Sequence, residues 1–535
     1  MNAAKYPRTL SLPVLVLAYI LVFGVFSLER VSSALVGGSK IDARVLEDTA
    51  NGQTAHFLVL LEAQADVRGV AAAATDRLAQ GRQIVQALRQ TADRAQPALI
   101  AQLQSLGVPY RRYWIVNLIA VEGNRTVVEA LAARADVKAI ESNHIFRVEL
   151  PSLPPPLPTG EKRVAGGRVD TIEWNLDWIH APDLWASGYR GQGITYANAD
   201  TGVQWEHPAL KSQYQGWDGV TADHNYHWWD AIHNDLSGNG SNPCGFASPQ
   251  PCDDQGHGTH TTGIGVGDDG GSNQIGVAPG ARWIACRNME ENYGRPETYL
   301  ECFQFFLAPT DLNGENPNPD LRPDVVGNSY GCPPSELCAP HSLQTAMENL
   351  RAAGVFMAVS AGNNGPNCST ISNPPGLEDS AITIGMTNYQ SNTINSMSSR
   401  GPVIVDGSNR RKPDLVAPGA SVRSSYPPNG YISLSGTSMS APHVAGAVAL
   451  LWSAFPEVRG NVDFTEYALE QSALPLTTTQ GCGGDGASEV PNNVYGYGQL
   501  DVSAAYAYLL ANPAPTPTPT PAPETIYSYL PLVNR

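Results

Sequence analysis

The chain has little positive charge, no cysteine before Cys244 and no long apolar run after its N-terminus. Its 33 Lys and Arg residues face 50 Asp and Glu residues, and the formal net charge of −17 argues against a nucleic-acid partner. All eight cysteines lie between residues 244 and 482. An even number confined to one segment predicts disulfides and an oxidising compartment, with buried free thiols as the alternative.

The longest apolar run lies at the N-terminus. It covers about residues 10–28, follows Lys5 and Arg8, and precedes the small residues 32–34 that a signal peptidase accepts. The run is nearly long enough to span a bilayer, so a retained anchor is the alternative. We interpret residues 1–34 as a signal peptide. The remainder is then secreted or held at the extracellular surface, with no membrane contact after cleavage.

The 535 residues exceed the usual size of one domain, and two segments have the composition of folded units. Residues 41–150 combine a strand-length apolar run at 57–61, an Ala-, Arg- and Gln-rich helical stretch at 67–106 and a second strand at 113–121. They predict a small α+β domain. Residues 151–171 are rich in Pro and Gly, which indicates an exposed linker that contains the maturation site.

Residues 172–510 alternate short β-branched runs with helical stretches. This pattern predicts an α/β domain with a mostly parallel sheet. Residues 511–524 form a Pro/Thr-rich spacer that cannot pack a core, and residues 525–535 form a short apolar tag. Two interpretations of residues 525–535 stay open, namely a strand that docks locally and a tag that retains the protein at the surface.

The first 150 residues, with the N-terminal apolar run included, and the remainder of the chain carry opposite net charge. Residues 1–150 have a formal charge of +3 and the remainder has −20. Segments of opposite sign attract each other, so we expect the front domain to dock on the main domain.

A first candidate for chemistry is Ser438. It lies in the segment GTSMSAPHVAG, after Gly436, and the sequence that follows is almost entirely apolar through Leu451. This predicts a buried helix with Ser438 at its N-terminus and Pro442 in its first turn, where proline is tolerated. Free N–H groups and the helix dipole there favour a developing negative charge, although serine is also common as a plain helix cap.

A carboxylate and an imidazole lie in two other segments. Asp200 ends the predicted strand that begins at Ile194, so it lies at the carboxyl edge of a parallel sheet, where ligand sites occur. His257 has glycines on both sides, which leaves its imidazole accessible. His260 follows three residues later, so a pair of metal ligands is the alternative.

Asn363 ends an apolar strand in the segment AVSAGNNG. Its side-chain amide can donate a hydrogen bond to an oxyanion, while turn formation is its ordinary role.

Together, DTG at Asp200, GHGTH at His257, AGN at Asn363 and GTSMSAPHVAG at Ser438 resemble the four signatures of the subtilisin-like serine peptidases. The resemblance covers about residues 172–510, and within the family it is strongest to the bacillopeptidase F group. It implies a subtilisin-like three-layer fold. The front domain resembles the inhibitor-type propeptide of these enzymes.

The resemblance implies a role for each matching residue. Ser438 is the nucleophile, His257 is the general base and Asp200 orients the imidazole. The Asn363 amide and the Ser438 N–H stabilise the oxyanion. Two segments form the edges of the substrate pocket, namely Ser329-Tyr330-Gly331 and Ser360-Ala361-Gly362.

The expected protein is thus a secreted serine endopeptidase made as a zymogen, acting through an acyl-enzyme on protein or peptide substrates. We expect a monomer, no required cofactor and inhibition by its own propeptide. A catalytically silent scaffold and an esterase are the rivals.

Three features stay open. Structural calcium is conceivable at an unidentified site, with Asp268-Asp269-Gly270 and 311–314 as possible oxygen ligands. Eight cysteines allow 105 pairings, and short separations favour Cys244–Cys252 and Cys332–Cys338. The Trp- and His-rich segment 224–233 either lines a cleft or packs beneath a loop.

Overall fold

The structure is a computed structural model that describes residues 40–74, 76–148, 171–331 and 340–514. The predicted signal peptide, all but the last residue of the linker, most of the spacer, the C-terminal tag and both members of the proposed Cys332–Cys338 pair lie outside these residues.

The front unit is a four-stranded antiparallel sheet with strand order β2-β3-β1-β4. Its strands are β1 (Thr54–Leu61), β2 (Tyr110–Tyr113), β3 (Leu118–Asn124) and β4 (Val137–Ser142). The helices are α1 (Ala43–Asp48), α2 (Val67–Ala73), α3 (Arg77–Ala95), α4 (Pro97–Leu106) and α5 (Arg125–Ala132). A two-residue strand, β5 (Phe146–Arg147), follows.

The apolar run in β1 is continuous because both faces of this strand are buried. Phe57 and Val59 pack in the front unit's own core, together with residues of α4 and α5. Leu58 and Leu60, which point the other way along the strand, join a second cluster that contains residues of the main unit. The front unit therefore uses one face of its sheet for its own core and the other face for docking.

Two predicted elements of the front unit are interrupted. The stretch 67–106 forms three helices, because Asp76 caps α3 at Ala79 N and Pro97 starts α4. The predicted strand 113–121 is split into β2 and β3, which pair with each other as an antiparallel hairpin. The intervening turn is stabilised by Asn117, whose side chain donates to the carbonyl of Ala63.

The main unit contains a seven-stranded sheet whose pairings are all parallel, in the order β15-β14-β13-β12-β7-β10-β8. The predicted α/β class is confirmed. Its strands are β7 (Thr195–Asp200), β8 (Trp228–Asp230), β10 (Arg282–Arg287), β12 (Val325–Asn328), β13 (Phe356–Ser360), β14 (Ile382–Thr387) and β15 (Leu415–Pro418). Shorter pairings involve β6 (Thr171–Ile172), β9 (Asn273–Gln274), β11 (Tyr293–Gly294), β16 (Val422–Tyr426) and β17 (Gly430–Leu434).

Helices cover both faces of this sheet and give a three-layer arrangement. They are α6 (Trp174–Trp178), α7 (Ala181–Ala186), α8 (His257–Val266), α9 (Pro296–Leu307), α10 (Pro340–Ala352), α11 (Thr437–Ala454), α12 (Val462–Ser472) and α13 (Val502–Ala511). Tyr196 and Ala358 point to the layer that contains α11. Ala197 and Val359 point to the layer of α9 and α10. No helix in these described ranges is long and apolar enough to cross a membrane.

The front unit contacts α9 and the segment before β12 through polar side chains. Asn143 accepts a hydrogen bond from Glu297 N, 3.0 Å away, at the N-terminus of α9. Arg111 pairs with Glu301 on the same helix, and Arg77 lies 2.7 Å from the fully buried carboxylate of Asp324. The basic partner comes from the front unit in both ion pairs, as the difference in net charge predicts.

The six described cysteines form three disulfides. The predicted Cys244–Cys252 pair is confirmed. Two further bonds join Cys286 to Cys302 and Cys368 to Cys482, across 16 and 114 residues of sequence. The first of these links β10 to α9, two elements that are already adjacent.

One carboxyl group in the main unit is buried without full hydrogen bonding. Glu378 is 2% exposed, and its Oε1 has no hydrogen-bond partner among the described residues. Burial raises the pKa of Glu378 to about 8, and the positive charge of nearby Arg410 opposes this effect only in part. Since the native state holds this proton and the unfolded state releases it near pH 4.5, stability must fall as the pH rises between the two values.

We therefore expect Glu378→Gln to be more stable than the parent at pH 8, by about 1–3 kcal/mol, and similar to it at pH 5. The amide has the same shape but no proton to lose. Urea unfolding of both proteins in a Ser438→Ala background, at pH values between 5 and 8.5, measures the difference.

Asp379→Asn is the matched control, because Asp379 is the exposed neighbour of Glu378 and should show no such trend. A stability difference that is independent of pH would contradict the assignment of a protonated Glu378.

Candidate active site

The candidate residues lie at the carboxyl edge of the parallel sheet. Asp200 is the last residue of β7, and Ser360 is the last residue of β13. His257 is the first residue of α8, and Ser438 is the second residue of α11. Helices α8 and α11 pack against each other, so strand ends and helix N-termini converge in one region.

Asp200 and His257 form a hydrogen bond of 2.7 Å between Oδ1 and Nδ1. Their side chains are 0% and 1% exposed. A carboxylate accepts, so Nδ1 carries a proton, and in the neutral imidazole the lone pair is then on Nε2. Nε2 is buried and has no hydrogen-bond partner among the described residues. Thr201 N donates to the same Oδ1 over 2.8 Å and fixes the orientation of the carboxylate.

Ser438 exchanges two hydrogen bonds with Ser329. The Ser438 hydroxyl donates to the Ser329 carbonyl over 3.0 Å, and the Ser329 hydroxyl donates to the Ser438 carbonyl over 2.9 Å. The second bond has a cause in the sequence. Pro442, four residues on, has no N–H to bond the Ser438 carbonyl, so that oxygen is free for Ser329. The helix starts at Thr437, and Pro442 thus lies in its second turn rather than in the predicted first turn.

Ser438 and His257 are not hydrogen-bonded to each other in this arrangement. The Ser438 hydroxyl has a single proton and uses it on Ser329. The hydroxyl must therefore leave the Ser329 carbonyl before it can donate to Nε2 of His257.

Thr437, the first residue of α11, holds the side chain of Asn363 in place. Its Oδ1 accepts from the backbone N–H of Thr437 at 2.9 Å and from the Thr437 hydroxyl at 3.1 Å. A backbone N–H can bond only an acceptor, so Oδ1 is identified and Nδ2 must point away from Thr437. The half-buried amide therefore keeps its two N–H donors for another partner.

The two predicted pocket edges lie side by side because β12 and β13 are neighbours. Ser329, Tyr330 and Gly331 follow β12, while Ser360 ends β13 and Ala361 and Gly362 follow it. Gly362 has φ +92°, a conformation that favours glycine, and its N–H donates to the Thr437 hydroxyl.

Tyr330 does not present its ring to a pocket. The ring is buried and stacks on Tyr299 with centroids 4.4 Å apart. Burial raises the pKa of Tyr330. Only the backbone of this residue is thus available at the edge.

His260 makes a structural contact. Its Nε2 donates to the Ile432 carbonyl over 3.1 Å, and burial lowers the pKa of His260 to about 3. Within the described ranges, no three His, Cys, Asp or Glu side chains are grouped so as to hold a metal ion. The alternative in which His257 and His260 bind a metal ion therefore lacks a third such ligand in the described ranges.

The two segments considered for calcium are turns. Asp269 accepts from Gly271 N and Asn273 N, and Asp311 accepts from Asn313 N and Glu315 N. Backbone N–H groups of the same turns thus donate to both carboxylates, and we assign calcium to neither segment.

The aromatic segment 224–233 packs into the protein. Trp228 is fully buried and donates to the Ser248 carbonyl. Trp229 Nε1 and His233 Nε2 both contact Glu301, which also pairs with the front unit. Of the two interpretations of this segment, these contacts support packing beneath a loop rather than lining a cleft.

Sequence reasoning missed the polar residues that hold Asp200 and His257 in place. Asp253, four residues before His257, accepts hydrogen bonds from Thr201 and Thr259. An Asp shortly before a helix that begins after glycine is the available sequence signal, because such a carboxylate can cap the helix.

The chain was compared with known proteins. Residues 191–498, more than half of the chain, match the model of the subtilase family. Bacillopeptidase F of Bacillus subtilis (strain 168) is 35% identical over 434 residues, which are 78% of this chain but 28% of that protein. Subtilisin DY of Bacillus licheniformis is 31% identical, over 54% of this chain and 87% of its own length. Subtilisin E of Bacillus subtilis (strain 168) is 27% identical, over 64% and 77%.

The chain thus spans little more than a quarter of bacillopeptidase F, and most of the two subtilisins. All four motif segments lie inside the matched residues 191–498. The order Asp200, His257, Ser438 and the bond between the first two agree with that match. The chain belongs to the subtilase family of serine peptidases and, within it, to a bacillopeptidase F-like group.

Proposed function

We propose that the chain is a secreted serine endopeptidase that is made as a zymogen and cleaves protein or peptide substrates. The observation that carries the proposal is the bond of 2.7 Å between Asp200 Oδ1 and His257 Nδ1, which directs Nε2 of the neutral imidazole, without a partner in the described structure, to act as the proton acceptor. An imidazole in this state is a general base. The disulfides and the N-terminal apolar run support export.

In the proposed reaction, Ser438 Oγ turns from the Ser329 carbonyl to His257 Nε2 and attacks the carbonyl carbon of the scissile peptide. The hydroxyl proton passes to Nε2, and Asp200 stabilises the imidazolium. The C–N bond then breaks, and the proton moves from Nε2 to the amine that leaves. Water, activated by the same imidazole, hydrolyses the acyl-enzyme and restores Ser438.

The oxyanion of each tetrahedral intermediate would lie at the N-terminus of α11. Asn363 Nδ2 is available there because Thr437 occupies Oδ1. The Ser438 N–H, in the first turn of that helix, has no acceptor within the helix. Two donors and the positive end of the helix dipole favour negative charge at this point.

The front unit is proposed to be the intramolecular inhibitor. Strand β5 pairs with β11, and Val148 N donates to the Asn292 carbonyl over 2.7 Å, so the chain enters the main unit as an added strand. An extended substrate would use such a sheet edge in the same way. We propose that the front unit is released from the main unit only after a cut in the segment 151–171.

The first prediction from this proposed function concerns the nucleophile. A fluorophosphonate probe should label the mature protein at Ser438, and Ser438→Ala should abolish labelling and peptide cleavage. Ser440→Ala is the matched control, since Ser440 lies on the same helix but donates to the Ala417 carbonyl. Labelling that survives in Ser438→Ala would contradict the assignment and favour a silent scaffold. Cleavage of a peptide library separates a peptidase from an esterase.

The second prediction concerns the oxyanion. Asn363→Ala should lower kcat by about 10²–10³-fold with little change in KM, a range measured for the loss of such a donor in a subtilisin. The hydrogen bond forms fully only in the transition state, so binding is spared. The neighbouring exposed Asn364→Ala serves as the control. Equal kcat values for the two variants would show that Asn363 is not the donor.

The third prediction concerns the zymogen. Residues 172–535 expressed alone should give a low yield of active protein, because β11 loses its partner strand β5, and Asn143 and Arg111 are missing from the surface of α9. Active-site titration of purified material measures the yield. Full activity at the yield of the whole chain would refute a templating role for the front unit.

A further inference from the structure

The bond between Asp200 and His257 is supported by a second carboxylate, that of Asp253. It lies in the loop between Cys252, which is bonded to Cys244, and the start of α8. Each of its oxygens accepts hydrogen bonds from one side of the site.

The Oδ1 atom of Asp253 is directed to the Asp200 side. It accepts from the hydroxyl of Thr201, the residue after Asp200, at 2.9 Å. It also accepts from Gln255 N at 3.1 Å and from Gly256 N at 2.7 Å. The Thr201 hydroxyl in turn accepts from Gly258 N at 3.0 Å, so it joins β7 to the first turn of α8.

The Oδ2 atom of Asp253 is directed to the His257 side. It accepts from both the N–H and the hydroxyl of Thr259, at 2.8 and 2.6 Å. Thr259 is two residues after His257, in the first turn of α8. The residue at the N-cap position, Gly256, has no side chain to cap the helix, and Asp253 takes over this function.

All five donors give their protons to Asp253, so the carboxylate has the partners that its ionised form requires. Burial raises the pKa of Asp253, and the hydrogen bonds from Thr259, Gly256 and Gln255 oppose this effect. The titratable groups nearby are Asp254, whose pKa the charge of Asp253 helps to raise, and the pair Asp200 and His257. His260 lies beyond His257 on α8.

We propose that Asp253 is a positioning residue that holds the strand end of Asp200 and the helix start of His257 in register for proton transfer. This inference rests on the proposed function. Asp253 acts on the reaction through Thr201 and Thr259, and in the described residues no hydrogen bond joins its carboxylate to the side chain of Asp200, His257 or Ser438. A shift of about 1 Å in such a frame costs roughly 10²-fold in rate.

Asp253→Asn tests the proposal, because the amide keeps the shape but loses the charge and one acceptor. We expect kcat to fall by roughly 10–10²-fold and KM to change by less than about threefold. The acid limb of the kcat profile should move to lower pH, because His257 loses a nearby negative charge and its full contact with Asp200. A merely structural role would leave that limb in place.

Asp254→Asn is the matched control. Asp254 is adjacent in sequence and its carboxylate is also fully buried, but it pairs with Arg287 rather than with Thr201 or Thr259. We expect this variant to lose stability and to keep the acid limb of the parent. Equal kcat values and superimposed profiles for the two variants would overturn the proposal.

Two further measurements decide the case where Asp253→Asn does not fold. Thr201→Val removes the hydroxyl and should lower kcat and move the acid limb, whereas Thr201→Ser should restore both. Equal behaviour of the two Thr201 variants would also overturn the proposal. A parent chain that no fluorophosphonate labels is a separate outcome, because it refutes the proposed function itself.

Discussion

The close approach of two backbone segments underlies the whole site. A Cβ built on Gly202 would lie 1.8 Å from the Cys252 carbonyl oxygen, and one built on Gly258 would lie 2.0 Å from the Gly202 carbonyl oxygen. Gly202 also has φ +103°, which favours glycine. Any side chain at these positions would separate the end of β7 from the start of α8. The bond of 2.7 Å between Asp200 and His257 exists because two glycines leave the room for it.

The fold class and the candidate residues could be predicted because their signals are local. Asp200 ends a short apolar strand, His257 lies between glycines, and Ser438 precedes an apolar helix, so each motif carries its own structural context. The details that depend on distant residues could not be predicted. The bond from Ser329 to the Ser438 carbonyl needs the absence of an N–H at Pro442 and a strand end more than a hundred residues earlier in the chain. The Cys286–Cys302 bond likewise depends on how α9 packs on the sheet.

The two units differ in net charge, but exposed ion pairs between them contribute little to their docking. Arg82 and Asp320 form an exposed pair, and such pairs contribute about 0–1 kcal/mol each. Leu58 and Leu60 are at most 5% exposed and pack in the cluster shared with the main unit. Burial of one such side chain contributes about 1.5–3 kcal/mol. The apolar face of β1 therefore contributes more to docking than an exposed pair of this kind, and the charges favour the correct encounter.

The contact between Ser438 and Ser329 has a consequence for the nucleophile. Turning the hydroxyl from the Ser329 carbonyl to His257 Nε2 exchanges one hydrogen bond for another, at a net difference of only about 1 kcal/mol. That is small beside the barrier of peptide hydrolysis, so the observed rotamer is compatible with rapid attack. The bond that the Ser329 hydroxyl donates has the larger effect on the position of Ser438. It holds the Ser438 carbonyl and thereby the first turn of α11. Because Pro442 leaves the Ser438 carbonyl free, this bond joins the proposed nucleophile to the predicted pocket edge 329–331.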